Sequence, residues 1–312
     1  MDVAIQILIL ALGFFFLVKG ADWFVEGSSK VAEKFGIPQL VIGLTIVAMG
    51  TSLPEAAVSI SAALKGNAEI SIGNIVGSNI LNVLLILGLT ALICPVAVQK
   101  STIKYEIPYV AVISAVLMGI GYTDGLVSRV DGVILLVLMA CYLLYLGKMA
   151  KSGADVLEEI PGEGVKMPGW KMVLMIVAGG VLIVIGSDFA VDSASELARI
   201  FGMSERLIGL TIVAFGTSLP ELVTSVTAAI KGKADIAVGN IVGSNIFNIL
   251  FVLGVSAVIT PIVYAESFFA DSIICIAVAV LLWLCVVKNK RLGRIGGAIL
   301  LAGEIAYLIY LI

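Results

Sequence analysis

Long apolar runs alternate with short charged or Pro/Gly-rich breaks along the whole chain. Each run approaches the roughly 20 residues that a helix needs to cross about 30 Å of hydrocarbon. Ten runs fit, at residues 3–20, 38–64, 70–95, 105–122, 130–148, 171–192, 204–230, 236–262, 269–287 and 293–312. The first lacks a basic start and a small-residue cleavage site, so it is expected to be a retained helix rather than a signal peptide. The break at 149–170 is charged and Gly/Pro-rich; at about twenty residues it is a linker, too short for a folded domain. The pattern therefore predicts an all-α integral membrane protein of ten transmembrane helices.

The pattern also repeats. Residues 20–96 align with 186–262 at a constant offset of 166 without a gap, and 42 of the 77 positions are identical. "IGLTIVA", "GTSLPE" and "GNIVGSNI" recur whole, which chance does not produce. The units are 1–148 and 171–312, with five spans in each. Five is odd, so the second copy must enter the membrane from the opposite side, and the two five-helix repeats are expected to be inverted. Transporters built this way hold substrate near the midplane where the halves meet.

Composition agrees: 312 residues with 60% hydrophobic and 13% charged, and a mean hydropathy of +1.15, lie outside the globular range. Lys and Arg orient the spans. With the N-terminus outside, the cytoplasmic loops hold fifteen of these residues and the outer loops four, which places both termini outside the cytoplasm. Cys94, Cys141, Cys275 and Cys285 lie within or beside apolar runs without CxxC spacing, as buried small hydrophobes do. There is no histidine, which excludes a histidine-ligated transition-metal site and histidine proton relays. The remaining polar chemistry must use oxygen.

"GTSLPE" supplies that oxygen inside a span. Pro54 has no N–H for the carbonyl of Gly50, so the helix is expected to kink and backbone oxygens near Ala48 to come free. Thr51 and Glu55, at i and i+4, share a face that Ser52 borders. Ala214, Thr217, Ser218 and Glu221 stand in the same relation in the second copy. Ser78 with Asn82, and Ser244 with Asn248, are again i and i+4, beside glycines that let helices approach closely. Two carboxylates, two amides, hydroxyls and carbonyls make a cage of formal charge −2. One Ca²⁺ or several Na⁺ suit such a cage, and Mg²⁺ suits it less because it sheds water reluctantly.

Each carboxylate in a span costs at least about 2.5 kcal/mol, so Glu55 and Glu221 are expected to be functional. Ser59, Ser61 and Thr227 are expected to be packing residues. Asp22 and Asp188, which correspond across the repeats, are expected at helix ends as caps or packing groups. Lys30 and Lys34 are expected on a solvated loop face.

With "GTSLPE" and "GNIVGSN" in both halves, the chain resembles the calcium:cation antiporter superfamily over essentially its whole length, and within it the prokaryotic sodium/calcium exchangers. The resemblance implies alternating access, with Ca²⁺ exported from the cell in exchange for about three Na⁺ across the plasma (inner) membrane. It makes Glu55 and Glu221 the central acidic ligands of Ca²⁺ and Na⁺, joined by Thr51 and Thr217. Ser52, Ser78, Ser218 and Ser244, with the carbonyls of Ala48 and Ala214, match the flanking Na⁺ ligands, and Asn82 and Asn248 match the central pair. Some potassium-dependent relatives carry aspartate at the position of Asn248, so the amide here argues against K⁺ transport.

The expected partners are thus Ca²⁺, Na⁺ and the lipid bilayer, with no nucleic acid, no resident cofactor and a functional monomer. Gly20 and Gly186, at the ends of the first and sixth spans, are the candidate hinges. A proton-coupled Ca²⁺ exchanger is the alternative. An intramembrane enzyme is disfavoured because HExxH, a Ser/His pair and an aspartate dyad are all missing. A passive channel is disfavoured because paired inverted copies point to an occluding site.

Overall fold

The computed structural model describes residues 3–152, 167–203 and 214–311. These fold into helices: α1 Val3–Phe35, α2 Gln39–Thr51, α3 Leu53–Leu64, α4 Ile70–Ile93, α5 Thr102–Thr123, α6 Arg129–Lys151, α7 Gly169–Ile200, α8 Ala214–Thr217, α9 Leu219–Ile230, α10 Ala234–Ile259, α11 Phe268–Val287 and α12 Arg294–Leu311. Eight are long and apolar enough to cross a membrane, and α2 with α3 makes a ninth that bends by 51°. The span expected at 204–230 is described only from Ala214 onward, as α8 and α9. Most of the linker, residues 153–166, also lies outside the described residues.

Helices α1 and α7 run for 33 and 32 residues, well past the apolar stretches expected at 3–20 and 171–192. Hydropathy stops where charge begins, but a helix needs only its backbone bonds, and extending one costs little once it is nucleated. Charges on the extension pair along the helix, Lys19 with Asp22 at 3.5 Å and Lys30 with Glu33 at 2.9 Å. Lys30 and Lys34 are therefore helical rather than in a loop, and Asp22 and Asp188 lie inside α1 and α7 rather than at helix ends as expected. Asp22 reaches across to Lys231 at 2.6 Å, tying α1 to the end of α9.

The core lies along α4 and α10, whose spanning stretches are 72% and 83% buried within the protein, against 17% for α12. Apolar patterning cannot separate a core-facing residue from a lipid-facing one, because both contact hydrocarbon. The cysteines show it: Cys275 is buried, Cys94 and Cys285 are half-buried and Cys141 is exposed, so the expectation of four buried thiols fails for three. Two antiparallel pairs of two residues each, Val96–Ala97 with Arg291–Leu292 and Leu126–Val127 with Ile262–Val263, are the only strands among the described residues.

Contacts between the halves come in matched pairs. Along α1 and α7, Gly13 meets Gly186 and Gly20 meets Gly179, so the two helices run antiparallel; the offset of 166 converts the first contact into the second. The strand pairs exchange likewise, with an offset of 166 for the first strand and 165 for the second, so that Val96 with Leu292 answers to Ile262 with Val127. A Cβ on Gly186 would lie 2.7 Å from the carbonyl oxygen of Gly13 and 2.7 Å from the amide nitrogen of Leu17. Gly20 and Gly186 thus sit inside continuous helices at backbone-to-backbone contacts, which removes the reading of them as hinges at helix ends. Gly186→Ala is expected to destabilise the protein by about 1–3 kcal/mol through overpacking, seen as a lower midpoint of thermal unfolding in detergent.

Candidate functional site

The site begins at two breaks. Ser52, with φ −82° and ψ 11°, leaves helical geometry between α2 and α3, and Ser218, with φ −92° and ψ 4°, does the same between α8 and α9. Pro54 and Pro220 stand in the first turns that follow, where a missing N–H costs nothing. The carbonyl of Ala48 is not freed as expected, since it keeps its helical bond from Ser52 N at 3.1 Å. The proline removes the donor for residue 50 or 216, as expected, and in the second half Ser187 Oγ donates to Gly216 O at 3.0 Å. A carbonyl has two lone pairs, so Ala48 can accept a second contact, from Thr51 Oγ1 at 3.3 Å or Ser244 Oγ at 3.4 Å.

Glu55 and Glu221 are 0% exposed, and Ser52, Ser218, Thr51, Asn82, Asn248 and Ser244 are buried with them. Each break serine serves the other half's glutamate: Ser52 Oγ donates to Glu221 Oε1 at 2.8 Å, and Ser218 Oγ to Glu55 Oε1 at 3.2 Å. Ser244 Oγ adds a longer contact to Glu221 Oε1 at 3.5 Å. Thr51 and Thr217 are the last residues of α2 and α8, one position before each break. Ser78 is buried on α4, and Ala214 opens α8. The close approach that gathers these groups needs Gly243, where a Cβ would lie 2.8 Å from Ala48 Cβ and 2.8 Å from Leu44 Cα.

Four asparagines that the sequence reading passed over hold the frame. Asn79 Nδ2 donates to Asn245 O at 3.1 Å and Asn245 Nδ2 to Asn79 O at 3.0 Å. Their side-chain oxygens accept from the central amides, Asn82 Nδ2 to Asn245 Oδ1 at 3.0 Å and Asn248 Nδ2 to Asn79 Oδ1 at 3.2 Å. Asn74 and Asn240 bind Ser59 and Ser225 at 2.9 and 3.0 Å, and Asn240 Oδ1 accepts from Thr51 at 2.9 Å. The signal was present: Asn74, Ser78 and Asn82 share one face at four-residue spacing. Asn82 and Asn248 each begin a π-helical turn, Asn82–Leu87 and Asn248–Leu253, a local widening frequent at functional sites.

These bonds leave particular oxygens over. Glu55 Oε2, Glu221 Oε2, Asn82 Oδ1 and Asn248 Oδ1 are buried without a hydrogen-bond partner. Among the described residues, neither glutamate forms an ion pair with Lys or Arg. Leaving such groups bare costs about 1–3 kcal/mol each, more when charged. Two carboxylate and two amide oxygens, related by exchange of the halves, fit a hard cation as bound substrate. Asn245→Ala would take the side-chain donor from the carbonyl of Asn79 and the acceptor from Asn82 Nδ2; a loss of about 1–3 kcal/mol of stability is expected, with weaker cation protection against thermal unfolding.

A family profile described as "Sodium/calcium exchanger protein" matches residues 5–148 and 171–312. The chain belongs to the sodium/calcium exchanger family. The sodium/calcium exchanger MaX1 of Methanosarcina acetivorans is 34% identical over 348 residues, covering 99% of each chain. The inner membrane protein YrbG of Escherichia coli (strain K12) is 39% identical over 311 residues, covering 96% of this chain and 94% of its own. The solved structure of the sodium-calcium exchanger NCX_Mj, soaked with Na⁺ and without Ca²⁺, superposes with a TM-score of 0.85 at 33% identity and 99% coverage of both chains. The same exchanger soaked with Na⁺ and Sr²⁺ gives 0.84 at 34%. Within this family member, the exchanger motifs and the unpartnered oxygens fall on the same residues.

Proposed function

We propose that this chain is a secondary antiporter that exchanges about three Na⁺ for one Ca²⁺ by alternating access, as a monomer in the plasma membrane with both termini outside the cytoplasm. The observation that carries the proposal is the set of four unpartnered oxygens on Glu55, Glu221, Asn82 and Asn248. A carboxylate pair without a basic partner is unfavourable in a membrane until cations fill it. One Ca²⁺ matches the pair's formal charge. Several Na⁺ engage more of the surrounding oxygens: Thr51 and Thr217 beside the pair, with Ser52, Ser78, Ser218, Ser244 and the carbonyls of Ala48 and Ala214 on the flanks.

The matched antiparallel contacts support ten spans in two inverted repeats, with 204–230 completing the count. A site built half from each repeat can open to either side by the same motion run in mirror sense. The names of the relatives, a sodium/calcium exchanger and an inner membrane protein, agree with this substrate pair and location. Hydroxyls and carbonyls flanking the carboxylates favour Na⁺ over H⁺, because a proton requires only the carboxylate. Ca²⁺ uptake into vesicles containing the purified protein tests it: an outward Na⁺ gradient is expected to drive uptake. Uptake driven by a pH gradient and not by Na⁺ would establish proton coupling instead.

A further inference from the structure

Away from the cation site, α5 and α6 line a cavity of about 350 Å³ that is open at the protein surface. Its floor is Glu106, 1% exposed, whose Oε1 accepts from the Tyr145 hydroxyl. Three tyrosines stack beside it, Tyr109 on Tyr142 with ring centroids 5.6 Å apart and Tyr142 on Tyr145 at 6.2 Å, while Tyr105 closes the rim edge-on to Tyr145. Tyr142 is 5% exposed and its hydroxyl is buried without a hydrogen-bond partner. Lys104, exposed, also lines the cavity at its rim, with its ammonium 5.0 Å from the centre of the Tyr105 ring.

Comparison of the halves separates structure from recognition. At an offset of 165, Glu106, Tyr142 and Tyr145 correspond to Asp271, Tyr307 and Tyr310. There the carboxylate is held by the other tyrosine of the pair: Tyr307, the counterpart of Tyr142, donates to Asp271 Oδ1 at 3.3 Å, and its ring stacks on Tyr310 at 6.3 Å. A carboxylate held by tyrosine is thus a shared device of the fold. Tyr105 and Tyr109, however, correspond to Ala270 and Ile274, so the four-tyrosine box belongs to the first half alone.

We propose that this box binds an organic ammonium group, such as the headgroup of an ethanolamine or choline lipid. Ring faces carry negative charge and attract a cation, most strongly where water is excluded, and Glu106 supplies the counter-charge. A methylated or methylene-bearing ammonium fills apolar walls that a metal ion would leave uncovered, since Ca²⁺ needs six to eight oxygens. The cavity lies near the start of α5 and within about two turns of the end of α6, at the depth where tyrosines and headgroups meet. It is separate from the transported-cation site and does not depend on the antiport reading.

The test measures phosphatidylethanolamine, phosphatidylcholine and phosphatidylglycerol retained by the purified full-length protein in native mass spectrometry, and the shift in unfolding midpoint with soluble choline and ethanolamine. The wild type is expected to retain the ammonium lipids over phosphatidylglycerol, and Glu106→Gln to lose that preference at least tenfold. A choline or ethanolamine shift that Glu106→Gln abolishes identifies a free cation as ligand, and lipid retention without it identifies the headgroup. The double variant Tyr105→Ala/Tyr109→Ile, which installs the side chains of the other half and leaves the Glu106–Tyr145 bond, is expected to bind as weakly as Glu106→Gln. Equal retention of phosphatidylglycerol by the wild type without any amine shift, or unchanged binding in the double variant, would overturn the proposal.

Discussion

Glu55→Gln and Glu221→Gln are each expected to abolish Na⁺-driven Ca²⁺ uptake into vesicles, with Ca²⁺ affinity reduced by on the order of 10²-fold or more. Glutamine preserves the shape but turns one oxygen into a donor and lowers the formal charge of the site from −2 to −1. Removing one charge from a buried ionic arrangement costs about 3–5 kcal/mol, and each 1.4 kcal/mol is tenfold in affinity. Because Oε1 and Oε2 of both residues lie in one cage linked through Ser52 and Ser218, the two variants should fail alike. Unfolding without ions separates lost function from lost fold. There the variants should be at least as stable as the wild type, since one of two buried like charges has gone. Wild-type uptake by either variant would remove the carboxylates from the transport site.

The second large effect is on membrane potential. On the proposed exchange of three Na⁺ for one Ca²⁺, with both glutamates ionised, the site would be neutral holding Ca²⁺ and would carry +1 holding three Na⁺, so each cycle would move one net charge. A potential of 100 mV acts on that charge with about 2.3 kcal/mol, equivalent to roughly a 50-fold change in the Ca²⁺ gradient at balance. Vesicles clamped with a K⁺ diffusion potential and a fixed Na⁺ gradient are expected to show a steady-state Ca²⁺ ratio that rises and falls with the imposed voltage. A ratio indifferent to voltage would mean two Na⁺ per Ca²⁺, and would require a cage that releases one flanking Na⁺ position.

Much of the site was legible because its residues recur. Glu55 with Thr51, and Ser78 with Asn82, announce themselves as polar groups at helical spacing in apolar runs, and a second copy at offset 166 rules out accident. Asn79 and Asn245 were not legible, since a single amide beside a serine motif reads as packing. Their reciprocal bonds exist only between halves. The carbonyl near Ala48 was misjudged for a similar reason: a proline removes one donor, but which oxygen gains a new partner depends on neighbours such as Ser187 and Ser244. The lengths of α1 and α7 escaped as well, because hydropathy reports the solvent and a helix is set by its backbone.

The sequence by itself determined the membrane class, the duplicated plan, the oxygen chemistry and the two carboxylates. Each of these follows from composition or from spacing within one segment, where local geometry is fixed by the 3.6-residue turn. Only the tertiary structure decided that each serine at a break serves the opposite glutamate, that asparagines tie the halves together, and which oxygens remain without a partner. Those facts are differences between groups satisfied and groups left over after two distant segments pack, and no single segment contains them.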